Sequence, residues 1–238
     1  MGSEPVIRVE QLFKQYETAA GAVPVLKDVN LTINPGEFVA VMGPSGSGKS
    51  TFMNILGCLD TPTSGTYVLN GEDTGTLNAD QLAQLRNEVI GFVFQGFNLL
   101  PRANLENNVA LPLVYRGVKK TVGATQAREM LEKVGLKGYG NSMSNQISGG
   151  QQQRAAIARA LVNRSRLILA DEPTGNLDTT TSREIMNLFT RLNKEDGITI
   201  VLVTHEHDIA SYAKRLVRFV DGRIVHDGAM THTEEAHA

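Results

Sequence analysis

The sequence predicts an α/β fold, a mostly parallel sheet covered by helices, with an antiparallel β subdomain at its start and a helical subdomain inserted in its middle. Three observations predict it. Apolar runs of strand length alternate with helical periodicity from about residue 38 to 95 and again from 164 to 228. Between them, over about 96–163, the periodicity is mostly helical. Before them, the chain alternates with the two-residue period of half-buried strands. The reading is therefore one domain, with its core at about 1–95 and 164–228, the helical subdomain at about 96–163 and a polar, frayed tail at 229–238.

Taken in order, VIRVEQLFKQY and VLKDVNLTI alternate as strands around a polar, glycine-containing loop, and PGE at 35–37 is a turn. FVAVMG is apolar throughout, as a strand buried on both faces must be. STFMNILGCL follows as a helix, the turn-rich DTPTSG leads to the strand TYVLNGE, and ADQLAQLRNE and VIGFVFQ read as helix and strand. LENNVALPLVY, GATQAREMLEKVGL and SGGQQQRAAIARALVN carry the inserted helices, with the loop KGYGNSMSNQ before the last. Then come the strand RLILADEP, the helix TTTSREIMNLFTRLNKE, the strand ITIVLVTH, a helix over EHDIASYAKR and a hairpin over RFVDGRIVHDG.

Composition excludes several classes. The 238 residues are 41% hydrophobic and 20% charged, with a net charge of −2, so a broad electrostatic grip on nucleic acid is not expected. The one cysteine, Cys58, permits no internal disulfide and reads as a buried small hydrophobe. No signal peptide is evident, and runs such as ITIVLV fall far short of the ~20 residues of a membrane helix. The expectation is a cytoplasmic protein whose membrane role comes through a partner.

Two phosphate-binding devices stand far apart in the chain. Within GPSGSGKST at 43–51, GPSGSGKS fits G-x-x-x-x-G-K-[ST] directly after a strand and before a helix. Gly43, Pro44, Ser45, Gly46, Ser47 and Gly48 form a loop whose backbone N–H groups can turn inward on phosphate, and the helix N-terminus adds partial positive charge. Lys49 can reach the β- and γ-phosphates, Ser50, which completes the motif, can hold Mg²⁺, and Thr51 follows it among the ATP-binding residues. LILAD ends in Asp171, a second Mg²⁺ anchor, and Glu172 stands where a carboxylate could deprotonate the attacking water. Gln95 and His205 end strands whose C-terminal tips face the ligand crevice, although each alone also reads as an ordinary loop residue.

The second device is ISGGQ at 147–151. Ser148 reads first as a helix N-cap. Gly149 and Gly150 are poor helix formers, yet they leave backbone N–H groups open to a phosphate. Beside a complete first device this one is redundant within a single chain. The arrangement that uses both is a two-fold, head-to-tail homodimer with each ATP held between the loop of one copy and the ISGGQ of the other.

The set GPSGSGKST, Gln95, ISGGQ, LILADE, GNLD and His205 resembles the ATP-binding cassette (ABC) ATPases over nearly the whole chain. That resemblance implies a P-loop NTPase (RecA-like) core and an ATPase whose cofactors are ATP and Mg²⁺. It implies that Tyr16 stacks on adenine, that Gln95 senses Mg²⁺ and the attacking water, and that His205 is the switch on the γ-phosphate. It also implies that Ser148, Gly149, Gly150, Gln151 and Asp178 act in trans. Ile147, where the family usually has Leu, is the one departure in that signature. NILGCLDTPTSG, IGFVFQGFNLLP, NNVALPLVYRGV and ILADEPTGNLD are similar to cassettes of the macrolide-exporter and lipoprotein-releasing group. This implies a separate permease with four transmembrane helices and a large extracytoplasmic domain, with a periplasmic adaptor as a further partner. The cassette would then sit peripherally on the cytoplasmic face of the inner membrane, with FNLLP at 97–101 lining the groove for the permease. An importer cassette remains the alternative. A cassette acting on DNA or ribosomes fits less well, since 95–148 leaves no room for a long coiled coil and the chain holds a single cassette.

Overall fold

The computed structural model describes residues 4–19 and 21–230. The polar tail assigned to 229–238 lies, from residue 231, outside the described residues. Strands β1 (Ile7–Thr18) and β2 (Gly21–Ile33) form a hairpin, longer at its tip than the polar loop of the sequence suggests. With β4 (Ser64–Leu69) and β5 (Glu72–Asp73) they make a four-stranded antiparallel sheet of order β2-β1-β4-β5.

The second sheet carries the chemistry. It comprises β3 (Phe38–Met42), β6 (Ile90–Phe94), β7 (Leu167–Asp171), β8 (Thr199–Val203), β9 (Arg215–Val220) and β10 (Arg223–Ala229). Its order is β10-β9-β3-β8-β7-β6, parallel except for the β9–β10 hairpin. All residues of β3 and β8 are buried, because the sheet is covered on both faces. Val39, Val41, Leu169 and Val201 point to one core with helix α1 (Lys49–Leu56) and the antiparallel sheet. Ala40, Met42, Ala170 and Leu202 point to the other, with helices α5 (Gly149–Leu161) and α6 (Thr179–Asp196). Helix α2 (Ala79–Val89), closed by an Asn78–Gln81 capping box, leads into β6.

The middle of the chain is helical, with α3 (Leu105–Tyr115) and α4 (Lys120–Lys133) preceding α5. Helix α5 also lies on the sheet. A side chain at Gly91 of β6 would run into the Ala160 carbonyl, so the glycine permits the contact.

One expected element is mostly absent. The helix expected over EHDIASYAKR is a single turn, α7 (His207–Ala210). Lys214 instead donates its N–H to the Phe38 carbonyl, and Arg215 opens β9 against Val39. The Arg215 guanidinium holds Asp227 and Glu37, at 2.6 and 2.7 Å. Sheet pairing and this ion network override the local helical pattern.

Candidate active site

The parallel register brings the site together. Val41 pairs with Val203, Val203 with Asp171, and Asp171 with Phe94. Four strands therefore end level, and the residues that follow them, Gly43 and its loop, His205, Glu172 and Gln95, emerge at one edge.

The loop at 43–48 returns on itself through left-handed glycines. A Cβ at Gly43 would strike the Phe219 carbonyl, and one at Gly48 (φ 103°) would sit 2.8 Å from the Leu26 side chain. Helix α1 starts at Lys49 with no side-chain cap and no acid in its first turn, so its leading N–H groups stay available to an anion. Lys49 Nζ donates to the carbonyls of Gly43 and Pro44 at 2.7 and 2.8 Å. Burial lowers the lysine's pKa, against the opposing pull of Glu172 and Asp171.

A cleft of about 860 Å³ is lined by this loop with Lys49, Ser50, Thr51, Asp171, Glu172 and His205. Asp171 is held above the usual carboxylate range, chiefly by burial and then by the neighbouring Glu172 charge, with Lys49 opposing. Glu172 is left-handed (φ 43°), and its N–H donates to the Val203 carbonyl at 2.9 Å. Its Oε1 lies 2.8 Å from His205 Nδ1. A carboxylate held at a fixed point beside N–H groups open to an anion has the chemistry to take a proton from water.

Other expected residues stand apart from the cleft lining. The Tyr16 hydroxyl donates to Asp60 Oδ2 at 2.7 Å, with Lys14 over the ring at 4.7 Å. Gln95 faces Asn176: its carbonyl accepts from Asn176 Nδ2 at 3.0 Å. Ser148 caps α5 in a full capping box with Gln151, at 3.3 and 2.9 Å. Gly149 faces Leu177 and Phe97, and a Cβ at Gly150 would lie 2.5 Å from Thr181 Cγ2. Asp178 caps α6 through Thr181 N at 3.0 Å and its hydroxyl at 2.6 Å, which hold its carboxyl below the usual range. The sequence reading missed Val25, His207 and Arg218, which also line the cleft, and Asn176. Asn176 sits inside the quoted GNLD. The other three carry no local signal, since tertiary packing alone brings them to the cleft.

The fold and cleft define a P-loop ATPase, and three comparisons narrow the class. The family profile described as ABC transporter matches residues 26–175. The uncharacterized ABC transporter ATP-binding protein YknY of Bacillus subtilis (strain 168) is 54% identical over 92% of this chain and 95% of its own length. The macrolide export ATP-binding/permease protein MacB of Syntrophobacter fumaroxidans (strain DSM 10017 / MPOB) is 52% identical over 92% of this chain, which spans only 31% of that protein. The solved dimer of the ATP-binding cassette MJ0796, in a post-hydrolysis state bound to ADP and Pi, superposes with a TM-score of 0.86 at 43% identity. That match covers 94% of this chain and 99% of the other. The chain belongs to the ABC transporter family, as an ATP-binding component that hydrolyses ATP.

Proposed function

We propose that this cassette pairs head to tail with a second copy around two ATP and drives a separate membrane permease of the macrolide or peptide exporter or lipoprotein-release type. The observation that carries the pairing is the place of Ser148, Gly149 and Gly150. They form a capped, glycine-opened helix start outside the lining of the cleft that holds Lys49 and Glu172. The likeness to MacB cassettes and to a cassette solved as a dimer supports the same reading. In it, adenine stacks on Tyr16, Gln95 and His205 face the γ-phosphate, and Asp178 crosses to the second copy.

The residues present suit Mg²⁺. Ser50 and Asp171 are hard oxygen donors on one cleft, and metal charge would offset the cost of a half-buried, ionised Asp171. When bound, the ion neutralises charge on the phosphate oxygens. Lys49 binds the β- and γ-phosphates, Glu172 takes the proton of the attacking water, and His205 holds Glu172 in place.

No helix among the described residues is long and apolar enough to cross a membrane. Leu100 of FNLLP is 46% exposed, and Val114 and Tyr115 at the end of α3 are 64% and 77% exposed, apolar side chains available to a permease. The cassette then lies on the cytoplasmic face of the inner membrane, and an adaptor would join through the permease. The test is affinity purification of Glu172→Gln from detergent-solubilised membranes with ATP, followed by mass spectrometry. A four-helix permease with a large outer domain is the expected catch. Ribosomes, nucleic acid or soluble proteins alone would overturn the transporter reading, and a permease with a substrate-binding protein would favour the importer.

A further inference from the structure

The segment that leaves the site at Gln95 is held in an unusual way. Phe97 and Asn98 are successive non-glycine residues in the left-handed region, at φ 59° and 50°. Each costs about 1–2 kcal/mol in isolation, so such a pair persists only where its surroundings impose it. Two backbone bonds turn it, Phe97 N–H to the Phe94 carbonyl and Asn98 N–H to the Gly96 carbonyl, and Arg159, near the end of α5, ties the turned segment down. Its guanidinium donates through Nη2 to the Phe97 carbonyl at 2.9 Å and through Nη1 to the Asn98 carbonyl at 2.5 Å. No carboxylate pairs with Arg159 among the described residues, so these carbonyls are the partners of a half-buried charge.

The same segment touches both ends of the catalytic assembly. Before it, Gln95 exchanges contacts with Asn176, three residues beyond Pro173 and two before Asp178. Within it, the Phe97 ring lies against Gly149, where an added Cβ would be 3.6 Å from Cζ. After it, the fully buried Asn108 fixes Leu100, accepting from its N–H and donating to its carbonyl. Arg159 and Gly149 belong to one helix, so the Gln95 segment is gripped near both ends of α5.

We propose that Arg159 is a positioning residue for hydrolysis. It locks the Gln95 segment to α5, so that Gln95 in one site and Ser148–Gly150, which serve the other site, are held in a single register. This rests on the head-to-tail reading above. A fork of two donors is needed to bridge two successive carbonyls, which a lysine's point charge does not reproduce.

The test uses Arg159→Lys, which keeps the charge and the apolar stem, and Arg159→Ala, each alone and with Glu172→Gln. ATP affinity of the isolated subunit and the thermal midpoint of Arg159→Lys stay near the parent values. Its kcat falls about tenfold with little change in KM, and Arg159→Ala falls further. ATP-trapped dimer in the Glu172→Gln background falls in parallel, and amide exchange at 96–99 rises while that at 43–51 does not. Unchanged kcat and unchanged exchange at 96–99 in Arg159→Lys would overturn the inference. Equal losses of ATP affinity and kcat would also overturn it, by marking Arg159 as a general fold contact. Failure of Glu172→Gln itself to dimerise would refute the head-to-tail reading, and the exchange at 96–99 would still decide whether Arg159 holds the segment.

Discussion

In the proposed mechanism, Glu172→Gln separates proton abstraction from everything else this side chain does. Glu172 is left-handed, its N–H is bonded to Val203, and its Oε1 meets His205 Nδ1 at 2.8 Å. Glutamine has the same length, and its amide oxygen can take the same bond when Nδ1 carries the proton. The backbone strain, about 1–2 kcal/mol, is present in both proteins and cancels. Stability should therefore change by no more than about 0.5 kcal/mol. The amide cannot take a proton from water. Loss of a general base lowers kcat by about 10²–10⁴, which is about 2.7–5.4 kcal/mol of barrier. Phosphate release at saturating ATP reads this directly, and size-exclusion chromatography with ATP reads the accumulated closed dimer. A kcat above one tenth of the parent would show that Glu172 is not the base. A monomer at every ATP concentration would remove the trapped dimer from the mechanism.

Three further outcomes are expected. Ser148→Arg should abolish hydrolysis while the isolated subunit still binds ATP within about threefold, as equilibrium titration would show; full loss of binding would contradict a role in trans. Gly150→Ala should lower the thermal midpoint by several degrees, since its Cβ meets Thr181 Cγ2 at 2.5 Å and overpacking costs about 1–3 kcal/mol; an unchanged midpoint would mean that α5 and α6 part freely. Asp171→Asn should stabilise the nucleotide-free fold at neutral pH while stopping hydrolysis. The Asp171 pKa is raised in the fold, so its ionised form costs stability above that pKa. The gain should shrink as pH falls and Asp171 takes up its proton, and denaturant titrations across that range would detect a gain of the wrong sign.

The sheet and the phosphate loop were legible because their signals are local. FVAVM is apolar throughout, and LILAD and TIVLV are apolar but for the terminal Asp171 and Thr199, as strands buried on both faces must be. The glycine loop announces itself because few sequences permit that turn. Ser148 was legible as a cap, and Gln151 closes the box that the cap needs. The single turn of α7 was not legible, because the pull on Lys214 and Arg215 comes from Phe38, Asp227 and Glu37, distant in sequence. Arg159 was equally silent: an arginine in an amphipathic helix reads as solvated until Phe97 and Asn98 are seen beneath it.

The glycines at 149 and 150 answer a question the sequence left open. They are not needed for N–H access alone, since Gly150 faces Thr181 and Gly149 faces Leu177 and Phe97. Small residues here let the start of α5 lie beside the start of α6, which Asp178 caps. Two capped helix starts are thus packed together while both stand outside the lining of their own phosphate cleft. Ser148 and Asp178 already use their side chains on their own helices. In the head-to-tail reading, what they would present to another copy is therefore fixed geometry at the start of each helix, not mobile side chains. On this argument Ser148→Ala loses the cap, about 1 kcal/mol, and keeps much of the hydrolysis, whereas Ser148→Arg blocks the approach itself.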